Sequence, residues 1–178
     1  MAAVRRRCTV GLDPGVGLRP APGFTLTAAG NRPVSLADSR GKAVLLYFGH
    51  PPCPDLGPTT LSNVKNALAQ LGAQADQVQF LMVTVGPERA TPEVLATFLA
   101  FFDARFIGLT GTLDQIGPVA RSYGIGFSKE PGDAATGYLV DHTASWALTD
   151  RQGVWRKIFD FGTGGPDLAA DLRYVLAR

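Results

Sequence analysis

The stretch Ala43-Val-Leu-Leu-Tyr-Phe48 decides the fold. It is apolar at every position and short, which is the pattern of a central strand covered on both faces. The loop Gly49–Gly57 follows, and then Leu61, Val64, Leu68 and Leu71 recur at helical spacing, with Pro58 near the helix start and Gly72 past its end. Val78-Gln-Phe-Leu-Met-Val-Thr-Val85 reads as a second buried strand. Upstream, Phe24-Thr-Leu26 and Val34-Ser-Leu36 flank the turn Ala29-Gly-Asn-Arg-Pro33, which predicts a β-hairpin.

Downstream, Thr91-Pro92-Glu93 combines an N-cap, a first-turn proline and an early acid. It opens a helix expected to turn Val94, Leu95, Phe98, Leu99, Phe101 and Phe102 inward. Phe106–Leu109 predicts a short strand. Thr112-x-x-Gln115 is a capping box for a further helix that Pro118 should kink or delay. Tyr138–Val140 and Ser145–Thr149 flank Asp141-His142, Val154–Phe159 follows a turn, and a last helix starts near Pro166. Trp146 and Trp155 read as a packed hairpin pair. The order implies an α/β, thioredoxin-like mixed central sheet with helices on both faces and an N-terminal β-hairpin. Residues 1–21, with Gly, Pro and Arg but no periodicity, read as a flexible leader, and 22–178 as a single domain.

With 46% hydrophobic and 18% charged residues in a chain of 178, this is one globular domain with a sizeable core. A net charge of +2 with scattered arginines argues against a nucleic-acid partner. No apolar run approaches the ~18–20 residues of a membrane span. No apolar stretch follows the basic start Met1–Arg7, so no secretory signal is legible. Cys8 and Cys53 do not amount to a disulfide framework, and Cys8 reads as an inert or oxidisable terminal thiol. Gly162-Thr-Gly-Gly165 lacks a phosphate-loop pattern and reads as a connecting loop.

Chemistry concentrates in Phe48-Gly-His-Pro-Pro-Cys-Pro-Asp-Leu-Gly-Pro-Thr-Thr60. This loop leaves the carboxyl end of a central strand and enters a helix, where open α/β sheets place their sites. A cysteine approaching a helix N-terminus is favoured as thiolate, a better nucleophile and metal ligand. The alternative for Cys53 is a buried, inert thiol among prolines. For His50 it is an exposed loop residue, and for His142 a hydrogen-bonded turn residue beside Asp141.

Taken in order, Pro22-Gly-Phe-Thr-Leu-Thr27, Val44–Gly49, Cys53-Pro-Asp-Leu-Gly-Pro-Thr-Thr60, Val83-Thr-Val-Gly-Pro-Glu-Arg89, Thr91-Pro-Glu93, Gly108-Leu-Thr-Gly111 and Asp141-His-Thr-Ala-Ser145 resemble the Sco/SenC family from residue 22 to about 160. Members are thioredoxin-fold copper chaperones and cytochrome c oxidase assembly proteins rather than turnover enzymes. Their ligands are two cysteines of a CPxxCP loop and a histidine. The resemblance assigns Cys53 to the first cysteine and His142 to the histidine, and leaves Gly57 at the lost second cysteine. His50 and Pro52 also depart from the family pattern, as do Gly86 and Ala90, where acidic residues are usual. Three departures at Gly57, Gly86 and Ala90 around one site read as relaxed constraint on metal binding.

What this implies is Cu(I), with Cu(II) also admissible, held at low to moderate occupancy by Cys53 and His142, with His50 as an auxiliary ligand. One thiolate and one imidazole make a poorer Cu(I) site than two thiolates and an imidazole. Without a resolving thiol, dithiol chemistry within the loop is ruled out. The expected partner is the copper-site subunit of cytochrome c oxidase or another copper carrier. The expected location is periplasmic or membrane-tethered outside the cytoplasm, and cytoplasmic if Met1 is the true start. Two other functions fit the fold: a non-catalytic binding module, and a one-cysteine thiol peroxidase, against which stands His50 in the place of the Thr or Ser that peroxiredoxins need.

Overall fold

The computed structural model describes residues 19–51, 57–131, 138–143 and 145–178; Cys8 and Cys53 lie outside them. The strands are β1 (Arg19–Pro20), β2 (Thr25–Ala28), β3 (Arg32–Ser35), β4 (Ala43–Gly49), β5 (Val78–Thr84), β6 (Ile107–Leu109), β7 (Phe127–Pro131), β8 (Tyr138–His142), β9 (Trp146–Thr149) and β10 (Val154–Phe159). The helices are α1 (Gly57–Leu71), α2 (Pro92–Ala100), α3 (Leu113–Ser122) and α4 (Gly165–Leu176). Six strands form the central sheet in the order β1-β10-β9-β4-β5-β6. β4, β5 and β6 run parallel, and β9 pairs antiparallel with β4. This is the expected thioredoxin-like architecture.

Why β4 is apolar throughout follows from the two-residue period of a strand. Ala43, Leu45 and Tyr47 enter the core under α1 and α4, while Val44, Leu46 and Phe48 enter the core under α3 and the β2–β3 hairpin. β5 divides in the same way, with Phe80 and Met82 on one side and Leu81 and Val83 on the other. On the first face α1 and α4 pack closely. A Cβ on Gly165 would lie 3.1 Å from Asn66 Cβ and 3.2 Å from the Asn63 carbonyl oxygen, so a larger residue there would press the two helices apart by a few tenths of an ångström.

Several expectations are corrected. Arg19–Pro20, inside the stretch read as leader, pairs with Trp155 and Val154 as an edge strand, and the Arg19 guanidinium lies 5.1 Å from the Trp155 ring centre. Pro118 lies inside α3, which the Thr112/Gln115 capping box starts at the expected place. Phe101 is 80% exposed and Val94 46%, because α2 turns only Leu95 and Leu99 fully inward. β8 joins no strand of the central sheet; it forms a separate ribbon with β7, which sequence patterning did not reveal.

The two tryptophans do not pair. Trp146 stacks on Phe159 with ring centres 4.8 Å apart on one face of the sheet, and Trp155 lies on the other face, 5.1 Å from the Tyr123 ring. The register shifts between Trp155 and Lys157, so Arg156 is an extra residue that reverses the in–out parity of the strand. That bulge aims Arg156 at buried Asp150, with Nη2 and Oδ2 2.6 Å apart.

Candidate metal centre

The site is built on the carboxyl ends of β4 and β5. The parallel register aligns Gly49 with Thr84, and Val85 N donates to the Gly49 carbonyl at 3.0 Å, which carries the pairing one step past the strands. His50 and Gly86 therefore emerge side by side. Gly49 itself has no room for a side chain against the Tyr47 ring. Gly86 N donates to Thr84 Oγ1 at 3.1 Å, which fixes the turn.

His50 is 4% exposed, so the exposed-loop reading of this residue is corrected. Its ring fills the space beside Gly86. A Cβ at position 86 would lie 2.5 Å from His50 Nδ1 and 2.6 Å from Cε1. Burial, and then the positive charges of Arg89 and His142, hold the imidazole pKa down at about 4, so the ring is neutral at physiological pH and keeps a lone pair.

His142 arrives on the β7–β8 ribbon, opposite Phe127 in the register. Thr143 N donates to the Gly126 carbonyl at 2.9 Å and Gly126 N to Thr143 Oγ1 at 3.2 Å, closing the ribbon end. Lys129 pairs with Glu88 and ties the ribbon to the segment after β5. His142 is 9% exposed, its Nδ1 lies 3.2 Å from the Thr143 carbonyl oxygen, and its Nε2 has no hydrogen-bond partner among the described residues. It is thus more than a satisfied turn residue. A cleft of about 430 Å³ opens beside it, lined by Gly126, Phe127, Ser128, Asp141, His142 and Thr143.

The structure thus gathers both histidines of the chain at one end of the sheet. Gly57 opens α1. Ala90 is fully buried. Among the described residues no three His, Cys, Asp or Glu side chains cluster as a metal set. The Lys129–Glu88 tether and the fit of His50 against Gly86 escaped sequence reading. Their only trace there was that positions 50 and 86 depart together from the family pattern.

The SCO1/SenC family model matches residues 18–177. The chain belongs to that family. The mitochondrial SCO2 homolog of Bos taurus is 36% identical over 143 residues, covering 79% of this chain and 54% of the relative. A putative copper-binding protein of Stutzerimonas stutzeri is 34% identical over 142 residues, covering 78% and 68%. The chain therefore spans about half the length of the bovine relative. Bradyrhizobium japonicum ScoI, solved with copper bound, superposes with a TM-score of 0.79 at 34% identity, over 88% of this chain and 99% of that one. Apo Sco1 from Thermus thermophilus superposes with a TM-score of 0.80 at 33% identity, over 90% and 94%.

Proposed function

We propose that this chain is a Sco-type copper-binding protein, with copper as its cargo, acting in copper delivery or cytochrome c oxidase assembly outside the cytoplasm. The observation that carries the reading is His142, a buried imidazole whose Nε2 is left without a hydrogen-bond partner among the described residues, beside a cleft at the end of the sheet. A buried polar atom left unpaired costs roughly 1–3 kcal/mol, and a metal ion would offset that cost. Cys53, in the loop between β4 and α1, supplies the soft thiolate that copper favours.

With glycine at position 57 the site is weaker for Cu(I) than a two-cysteine site, and the loop runs no intramolecular dithiol exchange. The expected recipient or donor is the copper-site subunit of the oxidase or another copper carrier. A competitive Cu(I) titration of the reduced protein tests this. Cys53→Ala and His142→Ala are each expected to weaken binding at least tenfold, or about 1.4 kcal/mol. Unchanged affinity in both variants would leave the chain a non-catalytic binding module.

A further inference from the structure

The end of the central sheet opposite the histidines carries a charge pattern of its own. The amino end of β4 lies there beside the β9–β10 turn, because Val44 is paired with Thr149. Four cations border that turn. Arg19 is held at it by the pairing of β1 with β10. Gly41 N donates to the Arg151 carbonyl oxygen at 2.9 Å, which lays the segment carrying Arg40 and Lys42 against the turn. The Arg40 guanidinium rests on Gly153, with Cζ 2.8 Å from where a Cβ would stand. Arg19, Arg40 and Lys42 are exposed and Arg151 is half-buried. None of the four has an ion pair among the described residues. Two carboxylates stand near them. Asp150 is buried and held by Arg156, and Asp38 accepts from Ser35 N at 2.7 Å.

A second observation comes from the same end of the sheet. The Arg105–Asp76 and Arg105–Asp103 pairs fix the connection from α2 to β6 at the amino end of β5. Phe101 lies in that connection and is 80% exposed. The other large exposed apolar side chains, Val94, Leu113 and Phe161, follow the carboxyl ends of β5, β6 and β10. Three strand spacings, about 15 Å, separate β6 from β9. One end of the sheet thus presents unpaired cations on one side and a bare aromatic ring on the other.

We infer that this end is a membrane-contact face, with Arg19, Arg40, Lys42 and Arg151 on anionic phospholipid headgroups and Phe101 in the headgroup layer. Each Lys or Arg near an anionic leaflet strengthens attachment by about fivefold, and an aromatic side chain adds apolar burial. An acidic protein partner fits less well, because protein interfaces centre on an apolar core depleted of charge, and here the cations surround none. So attached, the domain turns the carboxyl ends of its strands, with the His142 cleft, away from the bilayer. The inference is independent of the copper reading, since none of these side chains belongs to that site.

The test is sedimentation of the whole chain with vesicles of phosphatidylglycerol and phosphatidylcholine against vesicles of phosphatidylcholine alone. Binding is expected to the anionic vesicles only and to fall as salt is raised. The Arg40→Gln/Lys42→Gln/Arg151→Gln variant should bind at least tenfold more weakly and Phe101→Ser several-fold more weakly. Lys129→Gln, which removes a cation at the other end, should bind as wild type does. Near-UV circular dichroism checks folding; should the triple variant fail it, Arg40→Gln and Lys42→Gln singly carry the test, each losing about fivefold. Vesicles should slow amide exchange around residues 150–153 and Phe101 and leave the β7–β8 ribbon unchanged. Equal binding to neutral vesicles, or unchanged binding by the triple variant, overturns the inference. So does binding lost only when Arg5, Arg6 and Arg7 are changed to Gln, which would assign it to the start of the chain. Capture of polyglutamate without capture of vesicles would also overturn it, in favour of an acidic protein.

Discussion

Buried ionisable side chains at the two ends of the molecule are treated in opposite ways. Where β9, β10 and α4 meet, Asp150 and Asp171 are each 2% exposed and both are fully engaged. Asp150 accepts from Gln152 N at 2.9 Å and Val154 N at 2.8 Å and pairs with Arg156, which locks the turn and uses the bulge. Asp171 pairs with Lys157 at 2.6 Å and fastens α4 to the sheet. At the carboxyl ends of β4 and β5, His142 is nearly as buried, yet its Nε2 has no hydrogen-bond partner among the described residues. The buried carboxylates are paired and serve stability, whereas the unpaired Nε2 of His142, beside a cleft, fits a group kept for a ligand.

The contrast is most directly broken by comparing stabilities. Asp171→Ala strands the Lys157 ammonium and is expected to destabilise the fold by about 3 kcal/mol, with copper affinity unchanged. His142→Ala removes an imidazole whose Nε2 has no hydrogen-bond partner among the described residues and whose Nδ1 lies 3.2 Å from one backbone carbonyl oxygen, so its urea-unfolding free energy should stay within about 1 kcal/mol of wild type. Equal losses in the two variants would abolish the distinction.

Gly57→Cys sharpens it from the other side. A thiol placed four residues after Cys53, at the entry to α1, should tighten Cu(I) at least tenfold, or about 1.4 kcal/mol, and permit a loop disulfide visible by thiol counting. A folded variant with wild-type affinity would mean that this end of the sheet is no copper site. The smallest effect is expected at Phe101, which helical spacing turns inward but which caps α2 at 80% exposure. Phe101→Ser should move stability by less than about 0.5 kcal/mol, and a larger loss by thermal melting would return it to the core.

Periodicity and punctuation determined most of the framework. The apolar runs 43–48 and 78–85, the caps at Thr91 and Thr112 and the inner face of α4 are local patterns, and each appears in the structure at its expected place. Motif order determined the family and named His142, because the Asp141–Ser145 segment is contiguous. Tertiary structure decided whatever depends on parity or on residues far apart. One extra residue at Arg156 separated the two tryptophans, since a strand alternates faces with every step. The β7–β8 ribbon came from pairing that neither strand's composition announces. The fit of His50 against Gly86 joins positions that are neighbours only because β4 and β5 run parallel in register, so a glycine that looks like a loss in the sequence is, in the fold, the space that seats a histidine.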